Sequence, residues 1–439
     1  MEPTAGDVEV RNGDKLSSRT QHGMNSERNR GTARWHVGGV ALVAVAGLVA
    51  ISACGSSGPS TAAPASSGST SGAATGSTLK IMLEGAISGP VYALPEMVTG
   101  AQAAVNRVNS EGGVKGHKLQ LISCDDQGNP NNDANCGREA VSDGVVAVVG
   151  GLSVYDNQFI PPLQAANIPY IASSDIEPDD HTSPVSFPID ASVVDYHGTA
   201  AQLARRGCKV AAVIAPDQPG VAEGIAAIKD GFTKNGGQSV KPYEVATTLS
   251  NFTSTVATAD AAGVQCFALT TGPQQTAEIL LAIKKSGHIL PVDENITAIV
   301  PALDTPVGFP AGELTANGTY YLPNAGATGR TATVLSQFVQ DMAATHASGP
   351  AASVDALAEN AYNSVLIFRD VASTLTDITA PNVLHAMQRF TADTGLTVPI
   401  NFSGTGPFPG YPQDKATNEI TYEWTGSALK LAGSPINVG

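Results

Sequence analysis

The sequence has 439 residues, 42% of them hydrophobic and only 14% charged, with 46 glycines, which is enough for one large core or two medium ones. Ala and Val dominate the apolar residues, which suits a layered α/β protein rather than a coiled coil. The formal net charge is −15 and no Lys/Arg cluster follows residue 40, so a phosphate-binding surface is excluded and nucleic acid is not an expected partner.

Residues 1–53 read as a targeting segment rather than part of the fold. The stretch 38–50 (GGVALVAVAGLVA) has the length of a signal-peptide core and is short for a bilayer span, and Arg28, Arg30 and Arg34 precede it. Met1 and Met24 remain alternative starts. The core ends in Ile51, Ser52, Ala53 and Cys54, which resembles the bacterial lipobox, so Cys54 is the expected lipid anchor. Residues 54–78 are rich in Ser, Gly, Ala and Thr without apolar period and read as a flexible linker, spanning about 27 Å as a random coil.

From residue 79 the pattern becomes regular. A strand at 79–83 precedes a helix that carries Met97, Ala101, Ala104, Val105 and Val108 on one face. Strand 118–124, a helix over 133–142, the apolar run 145–149 and a short strand at 170–172 complete β-α-β-α-β, the signature of a doubly wound parallel sheet. The pattern then restarts. Helix 192–206, strand 209–215, helix 221–234, strand 240–245, helix 252–262, strand 266–270, helix 276–286 and strand 296–300 form a second such unit. After 320–322 come helices at 331–345, 354–374 and 382–390, and a last strand at 420–424.

Removing the signal leaves Cys124, Cys136, Cys208 and Cys266, which in an exported chain suggest two disulfides with three conceivable connectivities. Local organisation favours Cys124 with Cys136, across one strand-to-helix loop, and Cys208 with Cys266, each at the start of a strand.

The ordered set 85–91 (GAISGPV), 100–104, 106–116 (NRVNSEGGVKG), 119–121 and Asp125-Asp126 resembles the leucine/isoleucine/valine-binding family of ABC-transporter substrate-binding lipoproteins. Residues 148–152, 167–170, Glu223-Gly224 and 230–232 extend the similarity along the chain. The resemblance implies the type I periplasmic-binding fold, two doubly wound lobes joined by three crossovers with ligand between them. It places lobe one at 79–193 with 323–413, and lobe two at 194–322 with 414–439.

It also implies which residues reach the ligand. The loop after the third strand offers Ser153 and Tyr155 to a ligand carboxylate, helped by a helix N-terminus. Ser174 and Asp175 follow the fourth strand, Tyr92 stands in the first turn, and Gln218, Thr271, Gln274 and Asp304 face them from lobe two. Lobe two departs from the branched-chain pattern: Pro219, Gly220, Val221 and Ala222 stand where an aromatic residue precedes Gly-Glu-Gly, and Ala302 follows Pro301 where an acid is expected. The ammonium partner is then Asp175 or Asp304. Asp125 and Asp126 read as loop and capping residues.

Residues 151–155 (GLSVY) miss the G-x-S-x-G elbow, and the chain has no H-E-x-x-H, Walker A or G-x-G-x-x-G motif. No enzyme activity, cofactor or metal is expected. The expected protein is a monomeric, exported, lipid-anchored solute-binding component of an ABC importer. It would bind an amino acid or related small polar solute, and its partner would be a permease in the same membrane. A sensing module for a membrane receptor and a hydrolase built on Ser153 are the alternatives.

Overall fold

The computed structural model describes residues 76–89, 93–173, 175–189, 192–218 and 220–439. The expected signal peptide, Cys54, the linker up to residue 75, Tyr92 and Ser174 lie outside the described residues. No described helix is long and apolar enough to cross a membrane.

The strands are β1 (Leu79–Gly85), β2 (Leu119–Asp125), β3 (Ala147–Leu152), β4 (Tyr170–Ile171), β5 (Ser186–Phe187), β6 (Val210–Pro216), β7 (Ser239–Val245), β8 (Cys266–Leu269), β9 (Val292–Asn295), β10 (Leu314–Gly318), β11 (Thr391–Ala392), β12 (Ile400–Asn401), β13 (Asn418–Trp424), β14 (Leu429–Leu431) and β15 (Ile436–Asn437). The helices are α1 (Pro95–Ser110), α2 (Pro130–Asp143), α3 (Asp156–Ala166), α4 (Pro178–Thr182), α5 (Ser192–Arg205), α6 (Val221–Lys234), α7 (Thr253–Ala261), α8 (Pro273–Ser286), α9 (Pro301–Asp304), α10 (Gly329–Ala344), α11 (Ala356–Ser373) and α12 (Ala380–Met387).

The first sheet is all parallel in the order β2-β1-β3-β4-β5. The parallel part of the second runs β7-β6-β8-β9-β10, the same winding, and is extended by antiparallel β13 and β14. The strand order reverses between β1 and β3 in one sheet and between β6 and β8 in the other. Open parallel sheets bind ligands at such points, beyond the carboxyl ends of the strands.

The strands follow from their sequences: β3, β6 and β8 are almost wholly buried and carry no charged residue, and β1 is buried and apolar apart from Lys80 and Glu84, as strands covered on both faces must be. Helix α11 is buried nearly all round and packs on α1 and β3. Gly100 permits that helix crossing, because a Cβ there would lie 2.1 Å from the Ala358 carbonyl oxygen.

Cysteine pairing follows the strand order. Cys124 of β2 joins Cys136 of α2, and Cys208 joins Cys266, the first residue of β8, which pairs with β6; the Cα–Cα distances are 5.7 and 6.1 Å.

Several boundaries differ from expectation, for identifiable reasons. The strand expected at 296–300 is instead Val292–Asn295, and Ile296–Ala298 form a 3₁₀ turn whose Thr297 N–H is capped by the Asn295 side chain. Sequence pattern argues against a strand reading Val-Asp-Glu-Asn. Yet its neighbours bury both acids and give them donors, Asp293 from the Thr315 hydroxyl and Glu294 from Thr271 and Thr276. Strand β10 ends at Gly318, and Tyr320 makes only an isolated bridge to Thr397. Strand β4 stops at Ile171 because Ala172 turns to φ 62°, a left-handed value. Helix α2 begins at Pro130 rather than 133, capped by the Asn129 side chain accepting from Asn131 N–H.

Candidate functional site

A cleft of about 180 Å³ opens where the two reversal points meet. One side is apolar: Leu94 before α1, Leu152 and Val154 after β3, Ile176 after β4, and Leu357 in the first turn of α11. The opposite side is polar: Asp195 and Tyr196 of α5, Gln218 after β6, Thr270 and Thr271 after β8, and Glu294, Asn295 and Thr297 around β9. A narrower pocket of about 30 Å³ shares Ile176, Tyr196, Gln218 and Thr270 and runs toward His181, Glu223 and Tyr411. Neither cavity has a Lys or Arg among its described lining residues.

The polar side is organised around Glu294. Its Oε2 accepts from Thr271 N–H at 3.2 Å, Thr271 Oγ1 at 3.3 Å and Thr276 Oγ1 at 3.2 Å, and its Oε1 accepts from Asn295 N–H at 3.0 Å. Burial pushes this carboxyl up to about 8, against the pull of those hydrogen bonds. The side chain of Asn295 donates to Asp195, so two acids at the cleft wall are held by neighbouring amides and hydroxyls.

On the other side Asp126 is turned away from the cleft, while Asp175 lines it. Ser153 is buried, and its hydroxyl donates to Asp126 Oδ2 at 3.0 Å while accepting from Tyr155 N–H at 3.0 Å. Asp125 and Asp126 tie down the loop after β2, accepting from Ser88, Gln127 and Gly128. Asp175 lines the cleft and forms an ion pair with His181 Nδ1. That ring also reaches Asp414 Oδ2 at 3.3 Å and Glu223 Oε2 at 3.7 Å, and Tyr411 meets it edge-on at 4.8 Å. Burial alone would lower the imidazole; Asp175 and Asp414 outweigh it and raise His181 to about 11. At neutral pH His181 is therefore a cation inside a carboxylate cage.

Of the residues singled out in the sequence, Asp175, Gln218 and Thr271 line the cleft. Ser153 and Tyr155 stand behind Leu152 and Val154 and are not in its lining, and Gln274 is exposed on α8. Asp304 is buried at the end of α9, with its carboxyl pushed up to about 7 by burial, also outside the lining. Tyr92 and Ser174 lie outside the described residues. Sequence reasoning missed Asp195, Tyr196, Glu294 and Asn295. The one signal for Glu294 is the polar triplet Asp293-Glu294-Asn295 directly before 296–300, too polar to register as strand. No described histidine hydrogen-bonds Ser153, so the geometry of a serine nucleophile with its base is missing there.

Over residues 78–409 the sequence matches the family described as periplasmic binding protein. The Leu/Ile/Val-binding protein of Escherichia coli (strain K12) is 39% identical over 75 residues, which cover 17% of this chain and 20% of that protein. The chain thus aligns with about a fifth of the length of the curated relatives it matches. Among solved structures, a fatty acid ABC transporter substrate-binding protein from Thermomonospora curvata has a TM-score of 0.70 at 17% identity, covering 83% of this chain and 94% of that one. An ABC transporter solute-binding protein from R. palustris in complex with benzoate has a TM-score of 0.67 at 16% identity, with coverages of 82% and 98%. All three are binding proteins rather than enzymes, and the paired, identically wound sheets are the type I fold. The chain belongs to the periplasmic binding protein family.

Proposed function

We propose that the chain is the extracytoplasmic solute-binding component of an ABC importer, held at the outer face of the membrane by a lipid on Cys54. In this reading lobes 79–193 with 323–413 and 194–322 with 414–439 close on one small solute and deliver it to a permease. The observation that carries the reading is the cleft between two sheets of identical winding, lined from the carboxyl ends of both.

The lining narrows the solute class. An apolar side faces a side of hydroxyls, amides and carboxyls without a Lys or Arg. A ligand recognised chiefly through a carboxylate would find no Lys or Arg there, and the His181 cation of the adjoining pocket is already paired with Asp175 and Asp414. The cleft therefore suits an amino acid or related solute with an apolar body and an amine or donor-rich head, the head directed at Glu294 and Asp195. It suits less well the benzoate held by the R. palustris protein.

Thermal unfolding of the purified chain against branched-chain amino acids, their amides and amines, short organic acids and ureas tests this. A bound solute at 100 times its Kd stabilises by about 2.7 kcal/mol. A selective shift with amines or amides that is lost in Glu294→Ala supports the reading. A shift confined to organic acids would overturn the assignment of the head group. No shift with any solute, from protein free of carried-over ligand, would overturn capture of this class.

A further inference from the structure

Behind the apolar side of the cleft, at the carboxyl edge of the first sheet, lies a second group of acids that the solute reading does not use. Glu84 ends β1, Asp126 follows β2, Asp133 is in the first turn of α2, Asp156 begins α3 and Asp180 is in α4; all five are fully buried. Their partners differ sharply from those of Glu294. Asp180 accepts from Glu177 and Ile176 N–H, and Asp126 from Gly128 and Ser153. Glu84, Asp133 and Asp156 accept from no described N–H group; Glu84 faces Asp133 and Asp156 faces Asp180, carboxyl against carboxyl, with only the Ser153 hydroxyl near Asp133.

A second, non-acidic group points at the same place. The Tyr170 hydroxyl is fully buried and also without a hydrogen-bond partner, and the carboxylates acting on it are Asp156, Glu84, Asp180 and Asp133. It approaches Gly151 so closely that a Cβ there would lie 2.3 Å from its oxygen and 2.8 Å from the Glu84 carbonyl. Buried charges need a counter-charge or donors, and these facing carboxyls meet no described Lys, Arg or N–H donor.

We propose that Glu84, Asp126 and Asp133 form a binding site for one hard divalent cation, calcium, with Asp156, Asp180 and Tyr170 as its surrounding shell. Donors that are all oxygen select a hard cation. One atom from each of the three lies within 4.8 Å of the others. Oxygens on opposite sides of a calcium ion, each bonded at about 2.3–2.6 Å, stand about 4.6–5.2 Å apart, so the three fit one coordination sphere. The ion also reaches the cleft indirectly: Ser153 bonds Asp126 between Leu152 and Val154, so a filled site holds the apolar wall in place.

Calcium titration of the full chain after chelation, followed by calorimetry and thermal unfolding, tests the site without any solute. One ion per chain and a midpoint raised by several degrees in millimolar calcium are expected, with a smaller shift from magnesium. Glu84→Gln and Asp133→Asn should each weaken calcium binding at least roughly tenfold, while Asp125→Asn, whose carboxylate bonds the exposed Ser88, should leave it unchanged. If Glu84→Gln does not fold, Asp133→Asn and the wild-type titration still decide. Absence of calcium-dependent heat and midpoint shift, with no metal in the unchelated chain by elemental analysis, would overturn the site and leave the carboxyls sharing protons. A larger response to magnesium would overturn the choice of ion.

Discussion

The two sheets share one winding but dress their reversal points in opposite ways. In the first sheet the loop after β3 turns Leu152 and Val154 to the cleft and Ser153 inward to Asp126, so all its acids but Asp175 lie behind an apolar wall. In the second, Glu294 on β9 and Asp195 on α5 stand at the cleft itself, with Thr271, Thr276 and Asn295 as donors. A common topology thus decides where a ligand sits, while the direction of a few side chains at the strand ends decides what it must be. The difference between donor-satisfied and donor-less acids also separates a solute contact from a candidate ion site.

The largest expected effect tests the His181 cage, the one charged contact among the described residues that joins the two sides. His181→Ala leaves Asp175 and Asp414 buried without their cation and should cost about 3–5 kcal/mol in denaturant unfolding. A loss below 1 kcal/mol would mean that the cage holds no charge. Next, opening each disulfide compares the sheets directly. Replacing Cys208 and Cys266, 58 residues apart, should cost about 4 kcal/mol, and replacing Cys124 and Cys136, 12 apart, about 3. A reversed order would show that the first sheet depends more on its staple than loop length predicts.

Glu294→Ala should cost about 1–3 kcal/mol, because Thr271 and Thr276 lose their acceptor. The pH dependence sharpens the contrast. The Glu294 carboxyl is raised to about 8 in the folded chain, so its contribution is complete below the ordinary carboxylate value, about 4.3, and is lost as pH rises toward 8. For His181, raised to about 11, stability is complete below about 6.5 and lost as pH climbs through 11. Stability should therefore fall with rising pH, Glu294→Gln flattening the lower limb and His181→Ala the upper one. The smallest effect is expected at exposed Gln274, where Ala should change stability by less than about 0.5 kcal/mol and leave solute binding intact. Weakened binding in that variant would place the cleft further along α8 than its lining suggests.

Much of the architecture was legible because apolar runs of strand length alternate with helical periods from residue 79 onward. Cysteine pairing was legible from local organisation, since Cys124 and Cys136 flank one strand-to-helix loop, while β6 and β8 become neighbours at the reversal point of such a winding. The site was less so. Strand β9 hid behind Asp293, Glu294 and Asn295, which look like turn residues until β8 and β10 bury them. Ser153 was correctly placed after β3, but its spacing does not say that its hydroxyl turns to Asp126 instead of the cleft.

The residues alone determined most of the succession of strands and helices, the doubly wound units and the family, and favoured the cysteine partners, since each rests on local periodicity or on motifs read in sequence. Tertiary structure decided which acids meet solvent, donors or one another. A carboxylate has no intrinsic direction or proton affinity in a folded protein: both depend on burial and on the groups that distant segments bring within a few ångströms, as Thr271 does for Glu294 and His181 for Asp175.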